Sequence, residues 1–285
     1  AGTDADSLVD VLPWARRLGR LMPVPAAAVA ARCLRYWRTD PRYLAQLLGL
    51  CLVPVLLVVV AVMGPAAGTS VVGHLAWGGA PAGLLALPVV LGLLTGWSLH
   101  DDLGYDSTAR WSHLSAALRG RDDLLGRIVA AALWQIPVIV VSTLLVAGWT
   151  GHWRWAPVVL GTALALLGCA YGWSAVTSVL MPYEVNAPGD SPLRSRTSGT
   201  ALLASLVQMA GWVVLATVTA PVWVAGILVV LAGSWAWGTA VALLGLGWGL
   251  AGTCLGVHRA GVLLERRGAR LLATIRSWPG HDQPG

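Results

Sequence analysis

The stretch ALLASLVQMAGWVVLATVTAPVWVAGILVVLAGSWAWGTAVALLGLGWGLAGTCLGV, residues 201–257, runs for 57 residues without a formal charge. A helix rises about 1.5 Å per residue and a bilayer core is about 30 Å thick, so about 20 apolar residues cross it once. This stretch is too long for one crossing, and turn signals divide it at Ala220-Pro221 and Gly233-Ser234. The reading places spans at 201–220 and 236–257 and leaves 222–233 as either an extension of the fifth helix or a re-entrant piece. Working outward, four more runs free of Arg, Asp and Glu lie at 43–63, 80–99, 128–148 and 156–181. The expected fold class is therefore all-α, a polytopic membrane bundle of about six transmembrane helices. Segments 1–42 and 258–285 flank a membrane domain over 43–257. Pro54, Pro88 and Pro137 fall inside spans, where neighbouring helices satisfy the freed carbonyls, and kinks are expected there.

Composition agrees. Of 285 residues 56% are hydrophobic and 11% charged, against about 25% charged in a soluble domain, and the mean hydropathy is +0.70. All 19 basic residues are Arg. Without an ε-amine there is no P-loop, no pyridoxal Schiff base and no kinase-type lysine. Phe is absent while Trp numbers 16, a bias for which we have no physical account. Cys33, Cys51, Cys169 and Cys254 lie far apart and read as small hydrophobes, with no disulfide framework or zinc site. The opening AGTDADSLVD has neither a basic nor an apolar region and is not read as a signal peptide.

The Arg census orients the bundle. Counted by the segments between spans, eighteen of the nineteen fall on one side and only Arg154 on the other. Cytoplasmic segments carry the positive excess, so both termini are expected in the cytoplasm of a plasma-membrane protein. Trp149, Trp153 and Trp155 flank the third and fourth spans as interfacial aromatics on the outer side. The same distribution argues against nucleic acid as a partner, since a nucleic-acid binder gathers its basic residues on one exposed face.

Few patterns suggest chemistry. Gly247, Gly249 and Gly252 match G-x-G-x-x-G, but that motif carries meaning only after a strand. Gly245, Gly249, Gly252 and Gly256, spaced 4, 3 and 4, fall on one helix face and read as a packing seam. His100, Asp102, Asp106 and His113 offer metal donors, yet their spacing matches no ligand signature, so no metal is expected. Residues 107–118 read as a short amphipathic helix capped by Ser107, with Trp111, Leu114 and Leu118 on one face and Arg110, Arg119 and Arg121 at its rim. Such a helix presses either on another protein or on the membrane surface. A second amphipathic helix, over 26–37, places Arg32, Arg35 and Arg38 with Tyr36 and Trp37 at headgroup level before Asp40-Pro41 turns the chain inward. The spans hold no ionisable group except at their ends (His100, Asp101, Asp102, Glu184, His258). Neither proton-driven transport nor intramembrane hydrolysis has its residues, and no catalytic residue or cofactor is assigned.

The stretches LRYWRTDPR, LGYDSTARWSHLSAALRGRDDLLGR, MPYEVNAPGDSPLRSR and LLERRGARLL together resemble the integral membrane permease subunits of type-2 ABC exporters, especially the two-fold repeated permeases of actinobacteria. Those relatives often have Gly where Ser107 stands and Phe where Leu193 stands. They usually carry two six-span halves, and this chain resembles one. The resemblance implies a transport component that does not hydrolyse ATP itself. It would provide the substrate pathway and a coupling helix at 107–118, with an ATP-binding subunit and a second permease half or a second copy as partners. The rival expectations are a non-transporting membrane scaffold or assembly protein and a proton-driven carrier.

Overall fold

The computed structural model describes residues 13–63, 78–182, 184–187, 201–278 and 280–281, and describes 201–205 and 208 by backbone alone. The described residues are helices joined by turns, with no strand. In chain order the longer helices are α1 (Val24–Thr39), α2 (Pro41–Met63), α3 (Leu87–Trp97, entered through a 3-10 turn at Ala82–Ala86), α4 (Gly120–Trp149), α5 (Ala156–Leu180), α6 (Ala201–Val218), α7 (Ala220–Leu231) and α8 (Gly238–Arg276). Four helical segments are long and apolar enough to cross a bilayer, and the bent pair α6 and α7 makes a fifth crossing if counted as one. The expected span at 80–99 is shorter, with helix only over Ala82–Trp97. The loop expected between the first two spans, and the arginines at 194 and 196, lie outside the described residues.

Helix α5 is the axis of the bundle: 83% of its span is buried, against 6% for α2. Small residues make this possible. Gly92 and Gly96 of α3 back onto the α5 backbone at Ala163 and Leu167, and Ser174 donates to the Gly96 carbonyl at 3.0 Å. On the opposite side of α5, Gly245 of α8 meets Gly161, Gly249 meets Leu164, Gly252 meets Cys169 and Gly256 meets Gly172. Thr253 crosses this seam, donating to the Gly168 carbonyl at 2.9 Å. Gly247, the one motif glycine off that face, has nothing within 4 Å of where a Cβ would stand.

These pairings also fix direction. Along α5, partners on α3 and α8 advance with increasing residue number, so the three helices run parallel. The start of α2 lies beside the end of α3, through Tyr43 with Asp102 and Gln46 with Ser98. Helix α4 runs against α5, pairing Gln135 with Tyr171 at 2.6 Å.

The bend of 60° between α6 and α7 falls where the sequence places Pro221. Gly211 meets Trp173, Leu215 packs with Cys169 and Ala170, and Gly226 reaches Val158. The pair thus follows α5 from Trp173 to Val158, as either a broken span or a re-entrant piece. The carbonyls loosened at the break are taken by indoles: Trp223 donates to Ala216 at 2.9 Å and Trp248 to Val218 at 3.0 Å.

Helix α8 runs unbroken for 39 residues to Arg276, past the end of the apolar run at 257. Helix α1 is present, yet its Trp37 is buried against Tyr43 and Trp134, and Arg32 points into the protein. The arginine was drawn inward by carboxylates far away in sequence. Cys33 and Cys169 are buried, Cys51 and Cys254 exposed, and all four are free. Trp155 is buried, whereas Trp153 stays exposed.

Candidate functional site

The chain between α3 and α4 forms a knot of short turns at the Arg-rich end of the bundle, over Asp102–Tyr105, Ser107–Arg110 and Trp111–Ser115. Asp102, Asp106 and Arg110 recur every fourth residue, and Asp123 and Arg127 do the same on the first turns of α4. Spacing of four turns each set to one side. Arg127 binds Asp102 at 2.6 Å, Asp123 at 2.9 Å and also Asp106. Arg32 of α1 reaches Asp106 at 3.0 Å, and Arg110 lies 3.4 Å from Asp123. Tyr43 of α2 donates to Asp102 at 2.5 Å, and His113 sits 3.1 Å from Asp123. Three carboxylates thus face three guanidinium groups inside the protein, and α1, α2, α4 and the loop are tied at one point. Burial pushes the Asp106 carboxyl up, but Arg127 and Arg32 outweigh it and hold it below the ordinary carboxylate range.

This arrangement reassigns several residues. Arg110, expected at an exposed rim, is fully buried in the ion network. Ser107 makes no helix cap; its hydroxyl donates to His281 Nδ1 at 2.7 Å, and His281 Nε2 donates to the Val185 carbonyl at 3.0 Å. Trp111 and Leu114 remain 56% and 41% exposed, while Leu118 turns inward onto the cluster of Leu18, Ala27, Val29 and Ala30. Arg119 precedes α4, and the stem of Arg121 lies across Gly261 of α8. Gly120 donates to Glu265 at 3.1 Å, and Leu114 touches α8 at Gly268. A cleft of about 570 Å³ opens between His113, Leu114 and Arg119 on the loop and His258, Val262 and Glu265 on α8. Among the described residues no three His, Cys, Asp or Glu side chains are placed to hold a metal ion. Asp102 and Asp106 instead serve Arg127.

A second polar pair borders the network. His100 stacks on Trp97 at 4.1 Å and lies 3.1 Å from Asp101. Burial lowers the His100 imidazole to about 4, and burial, with Asp102 nearby, raises the Asp101 carboxyl. The two shifts act oppositely on stability: a lowered imidazole loses its contribution as pH falls toward 4, whereas a raised carboxyl loses its contribution as pH rises. In Asp101→Asn only the His100 contribution remains, full above about pH 6.5 and lost as pH falls toward 4. Melting temperatures in detergent between pH 7 and pH 4 should fall more steeply for Asp101→Asn than for the wild type; equal slopes would refute the opposition of the two groups.

The class that fold and site define is a helical bundle with four or five helices fit to span a bilayer and a braced loop at its Arg-rich end. No family model, curated protein or solved structure matches the chain.

Proposed function

We propose that the chain is one permease half of an ABC-type exporter, with the loop over 107–118 receiving motion from a separate ATP-binding subunit. The observation that carries this reading is the loop itself. It is anchored from beneath by a buried ion network, yet it presents an indole and a leucine to solvent beside a cleft. A surface that only closed the bundle has no reason to leave Trp111 outside. Ser107 adds support: it holds φ of +51°, a conformation glycine enters without strain, and glycine is common at that place in the permeases the sequence resembles. The parallel run of α3, α5 and α8 supports six passes with cytoplasmic termini. Because α5 is sealed by glycine contacts on two sides, the substrate path in this reading runs between two such bundles, supplied by a second half or a second copy.

Two measurements test this. Interface energy concentrates in a few aromatic anchors, so Trp111→Ala should cost about 2 kcal/mol of affinity for the ATPase while leaving thermal stability unchanged. Undiminished recovery of the ATPase with the mutant at matched expression would refute the coupling role and favour the scaffold reading; weaker vesicle binding instead would assign the loop to the membrane surface. Cysteine labelling at Gly68, His152 and Ser234 should report the outer side, and at Ser115 and Asp190 the inner. A reversed result at His152 or Asp190 would overturn the six-pass map.

A further inference from the structure

Where α1 lies against α2 and α4, a slot of about 360 Å³ opens between Trp14, Leu34, Trp37, Arg38, Leu47 and Trp134. Its walls are indole and leucine, and its one charged lining residue is Arg38. The depth of the slot follows from the helices that form it. Trp134 lies two turns past Arg127 along α4, within the apolar run that begins at Ile128, while Arg38 is in the last turn of α1, just before the chain enters the membrane at Pro41. Arg38 is exposed and forms no salt bridge with any described carboxylate, and a second cation, Arg17, stands over the Trp14 ring at 5.7 Å.

We infer that this slot binds one anionic phospholipid, its acyl chain between Trp37, Leu47 and Trp134 and its phosphate on Arg38. Two features select that occupant. Apart from indole N–H groups the walls offer no hydrogen-bonding partner and no acceptor, so the amide N–H groups of a peptide would be stranded there, whereas a hydrocarbon chain needs none. The cation at the headgroup end of an apolar slot matches the one ligand class that joins a negative phosphate to an alkyl tail. The inference rests only on the membrane placement of α2 and α4, and it stands or falls apart from the ATPase reading.

The test is native mass spectrometry of the full chain in detergent, titrated with phosphatidylglycerol, phosphatidylcholine or glycerol phosphate. The wild type should bind one phosphatidylglycerol about fivefold more tightly than phosphatidylcholine, the contribution expected of one well-placed arginine. Arg38→Gln should remove that preference and keep the weaker binding common to both lipids. Leu34→Trp, which fills the slot, should reduce both. Arg266→Gln, a basic residue on the cytoplasmic extension of α8, should leave the preference intact, and glycerol phosphate should not displace bound lipid. Equal affinity for the two lipids in the wild type, a preference that survives Arg38→Gln, an equal loss in Arg266→Gln, or displacement by glycerol phosphate would each overturn the assignment.

Discussion

Arg127→Met is expected to destabilise the protein by about 3–5 kcal/mol, the cost of leaving buried charges without their partner. Methionine fills a similar volume, so the loss is electrostatic. Asp102, Asp106 and Asp123 all bind this one guanidinium, and no neighbour replaces it: Arg110 is 3.4 Å from Asp123 and Arg32 is already engaged with Asp106. The thermal midpoint in detergent should drop accordingly. Trypsin offers an independent readout, since the chain has no Lys and Arg110 is sealed inside; cleavage there should appear only in the mutant. Combining Arg127→Met with Asp102→Asn and Asp106→Asn should recover part of the stability, because neutral side chains are cheaper to bury than unpaired carboxylates. A single-mutant loss below about 1 kcal/mol would show that water reaches the network.

Gly249→Leu should be nearly as costly, about 3 kcal/mol, and for a different reason. A Cβ at Gly249 meets the Leu164 backbone, and one at Gly256 meets the Gly172 Cα. Backbone cannot rotate away as a side chain does, so the two central helices must separate along the seam, losing contacts beyond the site of change. Gly247→Leu, on the open face of the same helix, adds the same atoms without a clash and removes a flexible residue from a helix interior. It should be neutral or stabilising by up to about 1 kcal/mol. Equal losses at both positions, measured by thermal unfolding in detergent, would argue that helix propensity rather than the seam governs α8.

The apolar helices were legible because desolvation of a 20-residue run overrides local propensity: Pro41–Met63 and Ala156–Leu180 fall within a few residues of the runs read for them. The second run read correctly as helix but not in length, since Pro81 and Gly83 permit only a 3-10 entry before Leu87. Charge ends the apolar run at 257 without ending α8, because a helix continues through a charged stretch when its turns find partners, here Leu264, Leu271 and Ile275 in the core. Charge likewise does not place Arg110 at the surface, since its carboxylate partners are buried with it. Its four-residue relation to Asp106, repeated by Asp123 and Arg127, was visible. The residues that completed the network, Arg32 and Tyr43, lie 74 and 59 positions from their partners, and no local pattern connects them.

The seam between α5 and α8 has a temporal side. The hydrogen bond that crosses it joins Gly168 to Thr253, 85 residues later. At a synthesis rate of about 5–20 residues per second, α5 emerges about 4–17 s before the helix that covers it. For that interval α5, the most buried of the described candidate spans, has the strip of bare backbone that α8 later covers still open. Any helix with small residues at the same spacing competes for it during that time. The order in which the ribosome delivers the helices is therefore as much a condition of correct assembly as the fit between them.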